Sequence, residues 1–154
     1  MNMEIQAALD VADETDSFLQ ITDVIYEKEE ESGYDSLNDA ERTVFCIDQF
    51  LREMENGGFV QFFHHEAGYR AEDTLSALDN IKAKISHQLL DQVINLFPGR
   101  AVPEDEDARI DEFDRIESEH ADDIAGLDDR FYDSGENLVG MTLRYVQRNL
   151  REFH

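Results

Sequence analysis

Apolar residues recur three and four positions apart along nearly the whole chain, with no sustained alternation, and this spacing predicts an all-α protein. The clearest stretch is LNDAERTVFCIDQFLREMENGG, where Ala40, Val44, Ile47, Leu51 and Met54 share one face while Glu41, Asp48, Arg52 and Glu55 lie elsewhere. Both ends of this helix are signalled. Asn38 and Glu41 have capping-box spacing, Leu37 sits where a hydrophobic staple would, and Gly57 falls where a left-handed terminating residue belongs. Ala71, Leu75, Leu78 and Ile81 predict another helix, and Ile85, Leu89, Val93 and Phe97 one that stops at Pro98 and Gly99; the pattern leaves open whether the two merge. Pro103 reads as the start of the next helix, with Glu104 to Asp107 in its first turn, where negative charge suits the macrodipole. A last helix is expected from about Glu136 to Phe153. The N-terminal segment predicts one or two helices through Ile5, Leu9, Ala12, Leu19 and Ile25, closing on the charge run EKEEESG. No internal repeat is present. The expectation is a single-domain bundle of about six or seven helices, with an acidic helical segment over residues 1–36 leading into a helical domain over residues 37–154.

One stretch breaks the regular pattern. In NGGFVQFFHH, Asn56 to His65, two glycines, three phenylalanines and a histidine pair stand together. The physical reading is a corner rather than a pocket: Gly57 or Gly58 takes positive φ to end one helix, and Phe59, Phe62 and Phe63 then enter the core through a short helical turn. His64 and His65 are expected at the outer end of that turn as caps or surface groups, not ligands.

Charge alters the picture. The chain carries 37 acids against 13 bases, a formal net charge of −24, yet its hydrophobic content of 41% is that of a folding chain. The charge is uneven: −10 over residues 1–36, −4 over 37–103, −11 over 104–133 and +1 over 134–154. Such a field repels nucleic acid and anionic lipid and attracts cationic surfaces, so direct nucleic-acid or membrane binding is not expected and a basic protein partner is. Cys46, the single cysteine, precludes an internal disulfide or a multi-cysteine zinc site within one chain, and reads as a buried helical thiol. MNMEIQAALDVADE has no basic start followed by an apolar run, and no eighteen apolar residues occur together, so a soluble, cytoplasmic protein is expected.

Candidate chemistry is sparse. His64, His65 and Glu66 are consecutive and do not match H-E-x-x-H. Glu117 and His120 have the E-x-x-H spacing of di-iron bundles and fall toward the apolar side of their helix, but that chemistry needs a second such pair, which is absent. A metal protein or enzyme around Glu117 and His120, with Glu119 or His87 nearby, therefore stands only as an alternative. No nucleophile elbow, P-loop or dinucleotide glycine pattern occurs, and GENLVGM lacks the lysine of a phosphate cradle. No catalytic residue, metal or cofactor is assigned, and the chain is read as a non-enzyme.

The segment from Glu104 to Asp129 is more informative. If it is helical throughout, Glu104, Asp105, Asp107, Asp111, Glu112, Asp114, Glu119, Asp122, Asp123 and Asp129 form an acidic surface opposite Ile110, Phe113, Ile124, Leu127 and Phe131. Thirteen acids less Arg109 and Arg115 leave −11 over 26 residues, about one net charge per ~3.5 Å of helix against about one per ~3.4 Å of a DNA strand. Gly126 is a place where the run could break. The alternative is a solvated face serving solubility or a high-salt habitat. Arg144, Arg148 and Arg151 share one side of the last helix; they are expected to be neutralised by acids of the same chain, and a homodimer in which they meet a second copy is the other arrangement they allow.

At LNDAERTVFCIDQFLREMENGGFVQFFHHEAG, and again at ALDNIKA, INLFPGRAVPED and LDDRFYDSGENLVGMTLRYV, the sequence resembles a bacterial family named after an acidic protein that acts as a DNA mimic. The resemblance covers roughly residues 37–149. It implies a single all-helical domain and, for the family's named member, occupation of the DNA-binding surface of a transcription factor. It carries over no catalytic residue. Two departures stand out: His64 and His65 lie where the family pattern implies an asparagine, and Lys82 stands where it implies a glycine. The resulting expectation is an interaction protein that presents carboxylates to a basic, nucleic-acid-binding protein, with an immunity or antitoxin-like inhibitor of a basic nuclease as a close variant.

Overall fold

The structure is a computed structural model describing residues 2–154. Seven helices pack in one body, with no strand among the described residues: α1 (Met3–Leu9), α2 (Glu14–Ser32), α3 (Asp39–His64), α4 (Ala71–Asn80), α5 (Lys84–Ile94), α6 (Glu106–Asp133) and α7 (Leu138–Arg148). No helix among them is long and apolar enough to cross a membrane.

Helix α3 is the axis on which the others are laid. Its start carries the complete capping box, the Asn38 side chain accepting from Glu41 N–H and the Glu41 carboxylate from Asn38 N–H. Val44, Ile47, Phe50 and Met54 are buried along one stripe. Packed around it are α2, α4, α6 and α7, which is why α3 buries more side chains than any other helix. The N-terminal helices join the same core through Ile5, Ala8, Phe18, Ile21 and Ile25. Leu19, expected to face inward, is exposed: the buried stripe of α2 runs through Phe18, Ile21 and Ile25. Lys28 of α2 reaches the otherwise buried Glu41 at 2.6 Å, and Tyr26 donates to Asp48.

Helices α4 and α5 are separate. Between them Lys82 adopts a left-handed backbone, φ 67°, while Ala83 N–H bonds back to Leu78 O at 2.9 Å. This is the hydrogen-bond pattern of a Schellman termination, ordinarily built on glycine, so the family's implied glycine at this position has a physical reason and Lys82 tolerates a strained one. The last helix is shorter than expected, α7 ending at Arg148 and a 3-10 turn covering Leu150–Glu152.

The corner at Asn56 to His65 is as the phenylalanine spacing predicted, with one refinement. Gly58, not Gly57, has positive φ, 72°, whereas Gly57 at φ 179° is extended. The chain kinks there and resumes as a short helix that buries Phe59, Phe62 and Phe63 completely. Phe62 meets Phe50 edge-on at 5.5 Å between centroids, and Phe63 stacks on Phe113 of α6 at 5.2 Å while touching Phe97 at 5.1 Å. Burying each ring stabilises the fold by ~1.5 to 3 kcal/mol.

Candidate functional site

The acidic face is built on α6, and the corner sets where that helix lies. Arg109 is 2% exposed and contacts no carboxylate closely: its guanidinium donates to the carbonyls of Phe63 at 3.1 Å, His65 at 3.1 Å and Glu104 at 3.1 Å. Phe63 O and His65 O belong to the closing turn of α3, where carbonyls lack helical partners, so one buried cation both caps α3 and pins the start of α6. Burial lowers the Arg109 pKa, and the nearby carboxylates of Glu106 and Asp105 work against that shift. A second tie comes from the other half of α6. Asp128 accepts from Phe59 N–H at 2.9 Å, supplying an acceptor to an early amide of the helix that restarts after the glycines. A Cβ on Gly58 would lie 2.6 Å from the Asp128 carboxylate, so this glycine is required by close approach as well as by φ.

With Arg109, Phe113, Ile116, Ile124 and Leu127 facing the core, the acids are turned outward. The helix begins later than expected. Asp105 is its N-cap, accepting from Ala108 N–H at 2.9 Å, and Pro103 lies outside it, because an Asp side chain that satisfies an orphan amide is a better start than a proline that merely tolerates one. Gly126 does not interrupt α6. The irregular residue is His120, at φ −130° and ψ 30°, and the helix bends there.

Of the ten acids proposed from the sequence, nine are exposed and Glu112 is half-buried. Four meet a basic side chain: Glu112 and Glu119 flank Arg115, at 2.5 and 3.2 Å, Asp114 binds His64 at 2.7 Å, and Asp123 binds His120 at 3.4 Å. The hydrogen bond from Arg115 lowers the Glu112 pKa. The other six, Glu104, Asp105, Asp107, Asp111, Asp122 and Asp129, have no cationic partner within 4.0 Å among the described residues. Glu106, exposed in the first turn, belongs with them and was missed because the helix start was placed too early. Asp128, rightly outside that set, is turned inward, and burial raises its pKa against the pull of the Phe59 amide.

Glu117 and His120 are both half-buried, but His120 turns to Asp123, and among the described residues no three His, Cys, Asp or Glu side chains converge as a metal site. His64 and His65 each meet a carboxylate, His65 through Glu53 at 2.9 Å. Cys46 is buried beside the Tyr34 hydroxyl at 3.4 Å, and burial pushes its thiol up to about 11, away from nucleophilic use. Arg144, Arg148 and Arg151 depart from expectation: all three are exposed and none has a carboxylate within 4.0 Å among the described residues.

The model of the DMP19-like protein family, DNA mimic protein 19, matches residues 35–149, most of the chain. The chain belongs to the DMP19-like family. No curated protein and no solved structure matches it. Membership implies a DNA-mimic protein with a DNA-binding protein as partner, in a family that is generally non-enzymatic. The matched span contains both the corner and the whole of α6.

Proposed function

We propose that this DMP19-like protein uses the outer face of α6 to occupy the nucleic-acid-binding surface of a basic protein, its carboxylates standing where phosphates would. The observation that carries this reading is the set of six exposed carboxylates without cationic partners, distributed on both sides of the His120 bend. Their 28-residue helix, roughly 42 Å long if straight, gives a basic groove a rod of negative charge to follow. Carboxylates that already own a guanidinium contribute little to such a contact, since the partner's cations would have to displace it. Binding of this kind is steered by long-range attraction, so affinity falls steeply as salt rises.

The test is capture of partners from host lysate at low salt by the full chain and by a variant with Asp107, Asp111, Asp122 and Asp129 changed to Asn. The expected result is a basic protein retained by the native chain, lost by the variant, and released both by salt and by duplex DNA. Retention by the neutralised variant, or indifference to competing DNA, would sink the proposal.

A further inference from the structure

Near the start of α6 acids and arginines meet in almost equal number, Asp35, Glu72, Asp73 and Glu104 against Arg42, Arg70 and Arg100. A groove of about 720 Å³ opens between the 3-10 turn Tyr34–Ser36, the start of α3, the 3-10 turn Glu66–Arg70 and the loop after α5, and three of the ten arginines, Arg42, Arg70 and Arg100, line it. The volume suits a small molecule.

The two inner arginines are underused. Both guanidinium groups lie on the Tyr34 ring, at 4.9 Å for Arg42 and 4.2 Å for Arg70, and Arg70 also lies 5.3 Å from the Phe45 ring and 5.6 Å from that of Tyr69. A guanidinium carries five N–H donors. Arg70, with only 13% of its side chain exposed, donates none of them to a protein acceptor among the described residues; its nearest carboxylate oxygen, on the 79% exposed Glu66, is 3.6 Å away. Arg42 makes one hydrogen bond, to Asp35 O at 3.1 Å. The Nε atoms of both residues are shielded from solvent and unbonded. Aromatic faces hold these cations in place but accept no directed hydrogen bond in the guanidinium plane. A shielded Nε–H without a partner on each arginine is costly, and in a chain with 37 acids a matching carboxylate could have been supplied internally. The acids at this groove do not supply it: Asp73 is taken by the Tyr34 hydroxyl at 2.7 Å, Asp35 is fully solvated at 3.9 Å from Arg42, and Glu72 stands 3.8 Å from Arg100 at the rim.

We propose that this groove is a binding site for a small molecule bearing an oxyanion, a carboxylate or a phosphate monoester, on a flat ring. The oxyanion takes the forked donors of Arg70 and Arg42, Arg100, already paired with Asp91 at 2.7 Å, only closes the rim, and the half-exposed Tyr69 ring offers an apolar face to the ring. Glu104 borders both this groove and the acidic face, but Asp107, Asp111, Asp122 and Asp129 do not line the groove, so occupancy of it can be measured with those four mutated.

The experiment titrates the full chain with phenyl phosphate and with benzoate, sodium chloride being adjusted to hold ionic strength constant, because screening alone stabilises so acidic a protein. The readouts are the melting temperature and the NMR signals of the arginine Nε–H groups. At least one probe is expected to raise the melting temperature above the chloride control and to shift the Arg70 and Arg42 signals saturably. Preference for phenyl phosphate assigns a phosphate ester, and preference for benzoate a carboxylate. Arg42→Gln should weaken binding by about tenfold, and Arg70→Gln should abolish it. Absence of saturable shifts with both probes in the native chain, or native affinity in a folded Arg70→Gln or Arg42→Gln variant, overturns the proposal.

Discussion

The corner at Gly57 to His65 and the outer face of α6 touch the same helix from opposite sides, and they obey different physics. At the corner every group is accounted for by a neighbour: three buried rings interlock, Asp128 takes the Phe59 amide, and Arg109 collects the carbonyls of Phe63 and His65. On the outer face Asp107, Asp111, Asp122 and Asp129 touch nothing that would fix them. The corner is therefore explained by folding alone, whereas these four acids cost the fold self-repulsion and return no contact energy. That asymmetry separates substitutions into those that damage stability and those that damage binding.

The largest effect should come from Phe62→Ala. Losing a fully buried ring that packs edge-on against both Phe50 and Phe63 is expected to cost about 3 to 5 kcal/mol, roughly 6 to 20 °C in melting temperature for a chain of this length. Unchanged melting would break the comparison outright. Gly58→Ala comes next, at about 2 to 4 kcal/mol, since the added methyl meets both a left-handed backbone and the Asp128 carboxylate.

Asp128 gives a finer division. Burial holds its pKa above 3.8 in the folded state, so the native protein keeps a proton that the unfolded chain has released, and this group's contribution to stability declines as pH rises from 3.8 through the raised folded value. Asp128→Asn, which retains an oxygen for Phe59 N–H, should match the native chain in acid and be the more stable of the two at neutral pH. Asp128→Ala removes the acceptor and should lose about 1.5 to 3 kcal/mol. Urea unfolding of the three proteins at two pH values decides this.

Lys82→Gly should add about 0.5 to 1 kcal/mol by relieving a left-handed lysine without touching either region, readable as a higher urea midpoint. Smallest of all, Asp111→Asn and Asp122→Asn should each move stability by no more than about 0.5 kcal/mol. Together they should flatten the rise in melting temperature that the native chain shows between dilute and physiological salt.

Legibility in the sequence followed the range of the interactions. The capping box of Asn38 and Glu41 and the amphipathic stripe of α3 depend on residues within four positions of one another, so they could be read directly, whereas α5 ends at Ile94, ahead of the stop expected at Pro98 and Gly99. The break at Lys82 could not be read, because a lysine carries no turn signal of its own. The partnership of Asp128 with Phe59 spans 69 positions, and that of Glu136 with Ser86 N–H, which caps α5 from afar, spans 50. Both look in sequence like two more acids among many. The face itself was visible as a run of charge, but pairing with Arg115, His64 and His120 removes four of its members in ways that only side-chain reach decides.

Arg109 sets a limit on how negative α6 can become. Mobile sodium ions around the helix exchange with the medium and are shed when a cationic surface arrives, but a guanidinium sealed beneath the first turn and held by three carbonyls can be neither diluted away nor displaced. Glu104, Asp105, Glu106 and Asp107 crowd that same end of the rod, so the buried guanidinium permanently offsets one of four adjacent acids and evens out a charge that would otherwise be densest at the first turn.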